Sequence, residues 1–103
     1  MYFVRLKRIK VVSDDLGKFE WDEAKSQACA TSRGFDFAYT TRLWQSPVQE
    51  REDTRKDYGE IRVQALGRID GLFFVVVYTW RGKQRHIISA RRAHSKEVEK
   101  WLK

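Results

Sequence analysis

The stretch Glu60-Ile-Arg-Val-Gln-Ala-Leu-Gly-Arg-Ile-Asp-Gly-Leu-Phe-Phe-Val-Val-Val-Tyr-Thr-Trp-Arg-Gly-Lys-Gln-Arg-His-Ile-Ile-Ser-Ala-Arg-Arg92 decides the fold. Ile61, Val63 and Ala65 alternate with Arg62, Gln64 and Leu66, the period of a strand with one face buried. Asp70-Gly71 supplies a turn. Leu72 to Tyr78 is apolar at every position, and β-branched or aromatic from Phe73 onward, as expected of a strand covered on both sides. Arg81-Gly82 marks the next turn, and a third strand runs from Arg85 to Arg91 with Ile87 and Ile88 at its centre. Turns this short predict an antiparallel meander.

Working outward, Ser95 to Leu102 reads as a final helix. Upstream, Lys18 to Asp22 reads as a short strand leading into a helix. Asp22 is a suitable N-cap, because its carboxylate can accept from the open amides of the first turn. The helix runs from Glu23 to Gly34, the glycine standing at its C-terminal end. Asp36 caps a second short helix through Leu43, and Ser46-Pro47 ends it. Residues 49–60 carry five acidic and three basic side chains and read as a mobile charged loop or a short edge strand. Residues 1–12 mix Arg5, Lys7, Arg8 and Lys10 with aliphatics in a pattern that fits strand or helix, and Ser13 to Gly17 is a turn. The expected architecture is α+β: N-terminal helices, a central antiparallel meander and a C-terminal helix. The expected organisation is an arm over residues 1–17 and one domain over 18–103.

The chain has 103 residues, 42% of them hydrophobic and 34% charged, which suits one globular domain and not a disordered segment. The longest apolar run, Leu72–Tyr78, is seven residues, far short of the roughly 18 a membrane span needs. No secretory leader is expected. One cysteine, Cys29, excludes an internal disulfide and suits a reducing, cytoplasmic setting. With two histidines besides, a Cys/His zinc site is not expected, nor is any cofactor, since nucleotide-binding loops and nucleophile elbows are absent. Cys29 lies among small residues of a predicted helix and reads as core.

The net charge of +7 is localised. Residues 1–60 balance at eleven basic and eleven acidic, whereas residues 61–103 carry ten basic and three acidic. A basic excess confined to one half points to a polyanionic partner. Scarce carboxylates there argue against a two-metal nuclease. Arg62 and Gln64 share one strand face, and alternation places Arg85, Ser89 and Arg91 together on another. Arg81 sits in the hairpin, and Trp80 and Tyr78 offer rings for base stacking. Such a patch can hold a phosphodiester and stabilise charge developing on phosphorus; the same arginines can also form surface pairs with the acidic 49–60 segment. His86 suits proton transfer near neutrality, and by parity it also fits a half-buried position beside Ile88 and Ala90. His94 reads as capping or packing at the last helix. Trp21, Trp44 and Trp101 read as core or partner contacts.

These residues carry a family resemblance. Lys18-Phe-Glu-Trp-Asp22 followed by Ala24-Lys25, then Gly59-Glu-Ile-Arg62, then Tyr78-Thr-Trp-Arg-Gly82, then Ile87-Ile-Ser-Ala-Arg-Arg-Ala93 with Glu97 beyond, resemble BrnT-type toxins over residues 18–103. The resemblance implies a RelE-like fold and a metal-independent endoribonuclease that arrests growth by cutting RNA. It implies a BrnA-like antitoxin as partner, with operator DNA bound only through the complex. Arg62, Arg81, Arg91 and Lys25 stand on motif positions. On this reading Arg62, Arg81 and Arg91 stabilise charge with Arg33 in support, and His86 or Lys25 transfers protons. Trp80, Lys83, Arg85 and Arg92 are the expected RNA contacts. The chain departs from the family pattern at Ser32-Arg33-Gly34, where Lys-His-Gly is usual, at His86, where Arg is usual, and at His94, where Thr is usual. A second reading is a catalytically inactive basic module that binds RNA, DNA or an antitoxin; a sequence-specific DNA binder fits less well, with no helix-turn-helix pattern.

Overall fold

The structure is a computed structural model and describes residues 8–103. Residues 1–7 of the expected arm lie outside the described residues. The elements run in the order β1 (Ile9–Asp14), β2 (Gly17–Asp22), α1 (Glu23–Arg33), α2 (Phe37–Thr40) with a 3₁₀ turn (Thr41–Gln45), β3 (Gln49–Glu52), β4 (Val63–Ile69), β5 (Leu72–Arg81), β6 (Gln84–Arg92) and α3 (Ser95–Trp101). The strands of the described residues form one sheet in the order β1-β2-β6-β5-β4-β3. All neighbours are antiparallel except β2 and β6, which run parallel.

The fold is α+β and the β4–β5–β6 meander is present, but the placement of the helices differs from expectation. They follow two strands and do not open the chain. The sheet is mixed, because α1 and α2 carry the chain to the far edge at β3, from which β4 and β5 step back antiparallel and bring β6 alongside β2 in the same direction. Residues 9–14, ambiguous by periodicity, pair with β2 over their whole length. Within the charged 49–60 segment, Gln49–Glu52 takes the edge-strand alternative against β4. Ile61 and Arg62 precede β4, which starts at Val63, and the Asp53 amide donates to the Arg62 carbonyl at 2.7 Å just beyond the β3–β4 pairing.

Local chemistry explains the helix ends. The Asp22 carboxylate accepts from the Ala24 amide at 2.9 Å and the Lys25 amide at 3.4 Å. Gly34 adopts φ 85°, the left-handed conformation that closes a helix, and its amide reaches the Ala30 carbonyl. Asp36 accepts from the Tyr39 amide at 2.8 Å. His94 precedes α3 with no side-chain cap bond.

Helices cover both faces of the sheet. On one, α1 and α2 close over Phe19, Trp21, Phe74, Val76, Tyr78, Ile87 and Ala90, with Cys29 buried among them. On the other, α3 packs Val98 and Trp101 over Leu66, Val75 and Val77. Strand β5 is therefore buried on both sides, as its composition predicts.

One irregularity governs which side chains share a face. Val77 pairs with Ser89 and Tyr78 with Ile87, so Ile88 is an extra residue, a β-bulge. The bulge shifts the phase of β6. Arg85 and Ile87 point toward α1 and α2, while His86, Ser89 and Arg91 point toward the α3 side. This corrects the expectation that Arg85, Ser89 and Arg91 share a face, and that His86 shares one with Ala90; strict alternation fails at Ile88.

Candidate active site

On the α3 side, at the end of the sheet that α3 leaves open, cross-strand pairs place Thr79 beside His86 and His86 beside Glu20. A hollow of about 200 Å³ opens there. Its cations come from separate elements: Lys25 from the first turn of α1, Arg62 from the loop before β4, and Arg81 from the end of β5. His86 and Ile88 of β6 form the floor, Ile9 of β1 stands at the rim, and Asp22 and Glu60 are the carboxylates.

Arg62, His86 and Asp22 are held by identifiable contacts. The Arg62 guanidinium stacks 3.9 Å from the centroid of the Tyr58 ring, with Nε 3.6 Å from Glu60 Oε1. The loop carrying Tyr58 is organised by Asp53, which is buried and accepts from Arg55 and Tyr58. That arrangement holds the Asp53 carboxyl well below the ordinary carboxylate range, chiefly through its hydrogen bond from Arg55. His86 is 8% exposed, and its Nδ1 lies 3.4 Å from Glu20 Oε2. Asp22 is occupied by the α1 amides. Arg81 and Lys25 are exposed and form no ion pair among the described residues.

The structure thus brings together Lys25, Arg62, Arg81 and His86. It places the other expected residues elsewhere. Arg91 lies on the same face but in a second hollow, clasped by Glu97 at 2.7 and 2.6 Å. Arg33 ends α1 and donates to the Ala90 carbonyl at 2.6 Å, in a shallow groove on the opposite side that it shares with Arg92. Arg85 is enclosed by aromatic rings, 4.6 Å from Trp80, 4.7 Å from Trp44 and 5.4 Å from Tyr78. Lys83 occupies the β5–β6 turn, and Trp80 is half exposed beside it.

The family description for the BrnT ribonuclease toxin of type II toxin–antitoxin systems matches residues 21–97. The chain belongs to the BrnT family. Family membership makes it a ribonuclease toxin with an antitoxin partner and an RNA target. No curated protein matches the chain. No helix among the described residues is long and apolar enough to cross a membrane.

The BrnT match includes every lining residue of the hollow except Ile9. Sequence reasoning missed Glu20 and Glu60 as neighbours of the reactive groups. Glu20 meets His86 only through the parallel β2–β6 pairing, for which no local signal exists. Glu60 stands two residues before Arg62, and its reach to Nε was available from spacing alone.

Proposed function

We propose that this toxin cuts RNA in the hollow between β2, β5 and β6, without a metal ion. The observation that carries the reading is the convergence of Lys25, Arg62 and Arg81 from three elements on the buried imidazole of His86. In this reaction the ribose 2′-oxygen attacks the adjacent phosphorus while the bond to the 5′-oxygen breaks, leaving a cyclic phosphate and a free 5′-hydroxyl. Charge develops on the equatorial phosphorus oxygens, where Arg62 and Arg81 stabilise it. His86 takes the 2′-hydroxyl proton, with its Nδ1 beside Glu20. Lys25 delivers a proton to the departing 5′-oxygen.

Arg91 and Arg33 act outside the hollow, each engaged by a partner on another part of the surface. Trp80 and Lys83 flank Arg81 in the chain and guide the strand, Trp80 by stacking; Arg85 stiffens that aromatic edge, and Arg92 lies outside the hollow, on the opposite side of the sheet. Cleavage of messenger RNA would halt translation and growth in the cytoplasm. A BrnA-like antitoxin neutralises the toxin, and operator DNA is bound only through their complex. The RelE-like assignment, like the treatment of residues 18–103 as one domain after an arm, rests on the family resemblance.

The test is cleavage of a single-stranded RNA by purified protein in excess chelator. Activity should persist there and fall roughly 10²–10³-fold in Arg81→Ala. An Arg81→Ala protein that cuts as well as the parent overturns the site. Intact RNA with the parent protein, at concentrations that bind it, favours the non-catalytic module instead.

A further inference from the structure

A second basic hollow on the same sheet face takes no part in the chemistry just described. It is the larger of the two, about 740 Å³, and lies between β3, the end of β6 and α3. Arg51, Arg91, Lys96 and Lys100 line it against a single carboxylate, Glu97. That carboxylate is already engaged by both terminal nitrogens of Arg91, so the remaining three cations are in excess.

The hollow is built, not merely charged. The Arg51 guanidinium lies 3.8 Å from the centroid of the Trp101 ring, and its Nε donates to Gln64 Oε1 at 2.9 Å. Trp101 is 5% exposed, so its ring serves as a platform for the guanidinium. The two contacts fix the plane of the fork and leave its terminal nitrogens for a ligand. A planar, pre-oriented fork of this kind matches the oxygens of a phosphate.

Register relates this hollow to the first. His86 and Arg91 are on the same face of β6, five residues apart with the Ile88 bulge between them. At about 3.3 Å per paired residue they stand roughly 13 Å apart along the strand, a span that a few nucleotides bridge. Ser89, between them, faces the same side.

We propose that the hollow between β3, β6 and α3 binds a backbone phosphate of the RNA a few nucleotides from the bond that is cut, with Arg51, Lys96 and Lys100 as its donors. This rests on the cleavage reading above. The placement of both hollows on one face, a few nucleotides apart, favours a single strand laid across both over an acidic protein segment seated in one.

The experiment uses the whole chain and an uncleavable 2′-O-methylated oligonucleotide long enough to cross the face, with affinity measured against salt. Each lost phosphate contact lowers the slope of log affinity on log salt by about 0.7 for a single strand. Lys96→Gln with Lys100→Gln should lower the slope by roughly 0.7–1.4 with the melting temperature unchanged, since both side chains are exposed. Arg51→Gln should weaken binding more than Arg51→Lys. An unchanged slope in the double variant overturns the proposal. So does a loss confined to binding of a poly-glutamate peptide, which would assign the hollow to an acidic protein. Because the oligonucleotide is not cut, these outcomes are independent of whether Arg81→Ala abolishes cleavage.

Discussion

Arg91 grips Glu97 through two parallel hydrogen bonds, and this pair ties α3 to the end of β6. The Glu97 carboxyl is held below its ordinary range, first by the hydrogen bond from Arg91. A depressed folded value means stability that is present above the unfolded carboxylate value, about 4.3, and is lost as pH falls through the folded one. Both side chains are partly open, so Glu97→Gln should cost only about 0.5–1 kcal/mol near neutrality. Denaturant melts from pH 7 to 3 should show the parent converging on the variant in acid; parallel curves would exclude the pair as a pH-dependent clamp.

Tyr78 donates to Glu50 across β4, joining the central strand to the edge strand β3. Burial first, then that hydrogen bond, pushes the phenol up to about 12. A raised folded value gives stability that is complete below the unfolded phenol value, about 10, and disappears as pH climbs through 12. Tyr78→Phe should cost about 1–2 kcal/mol at pH 7 and flatten the alkaline loss. Thermal melts between pH 8 and 12 check both statements.

Tyr58 positions Arg62 by stacking beneath its guanidinium. Tyr58→Leu should lower kcat on RNA roughly two- to fivefold, the equivalent of a cation–π contact of about 0.5–1 kcal/mol. Tyr58→Phe keeps the ring and should restore the rate. If both variants fall equally, the hydroxyl bond to Asp53 matters and the ring does not.

Gly67 faces the 3₁₀ turn with no room for a side chain. A Cβ there would lie 2.8 Å from Leu43 Cγ and 3.1 Å from Val48 Cγ1. Gly67→Ala should destabilise the fold by about 1–3 kcal/mol. Leu43→Ala in the same chain should recover part of that loss in a double-mutant cycle, and strict additivity would refute the clash.

Much of this was legible in the sequence, where signals are local. Asp22 and Gly34 bracket α1 as their side-chain and backbone chemistry dictates, and the two-sided burial of Leu72–Tyr78 follows from its composition. What could not be read were the long-range relationships. Periodicity assumes unbroken alternation and puts Arg85 with Arg91; the Ile88 bulge breaks it, and the two occupy opposite sides of the sheet. The placement of β1 and β2 against the C-terminal part of the chain has no local code. For the same reason the basic excess was evident from charge counts, but its division into two hollows was not.

The parallel pairing of Phe19 with Arg85 joins residues from opposite ends of the chain. Closing so long an intervening loop is entropically costly, and contacts of this separation slow folding. The hairpins on either side can form early, but Lys25 reaches Arg81 and His86 only when β2 docks on β6. During synthesis, a nascent polypeptide that has not yet emerged as far as β6 has no hollow. The hollow is therefore completed only when nearly all of the chain has been made.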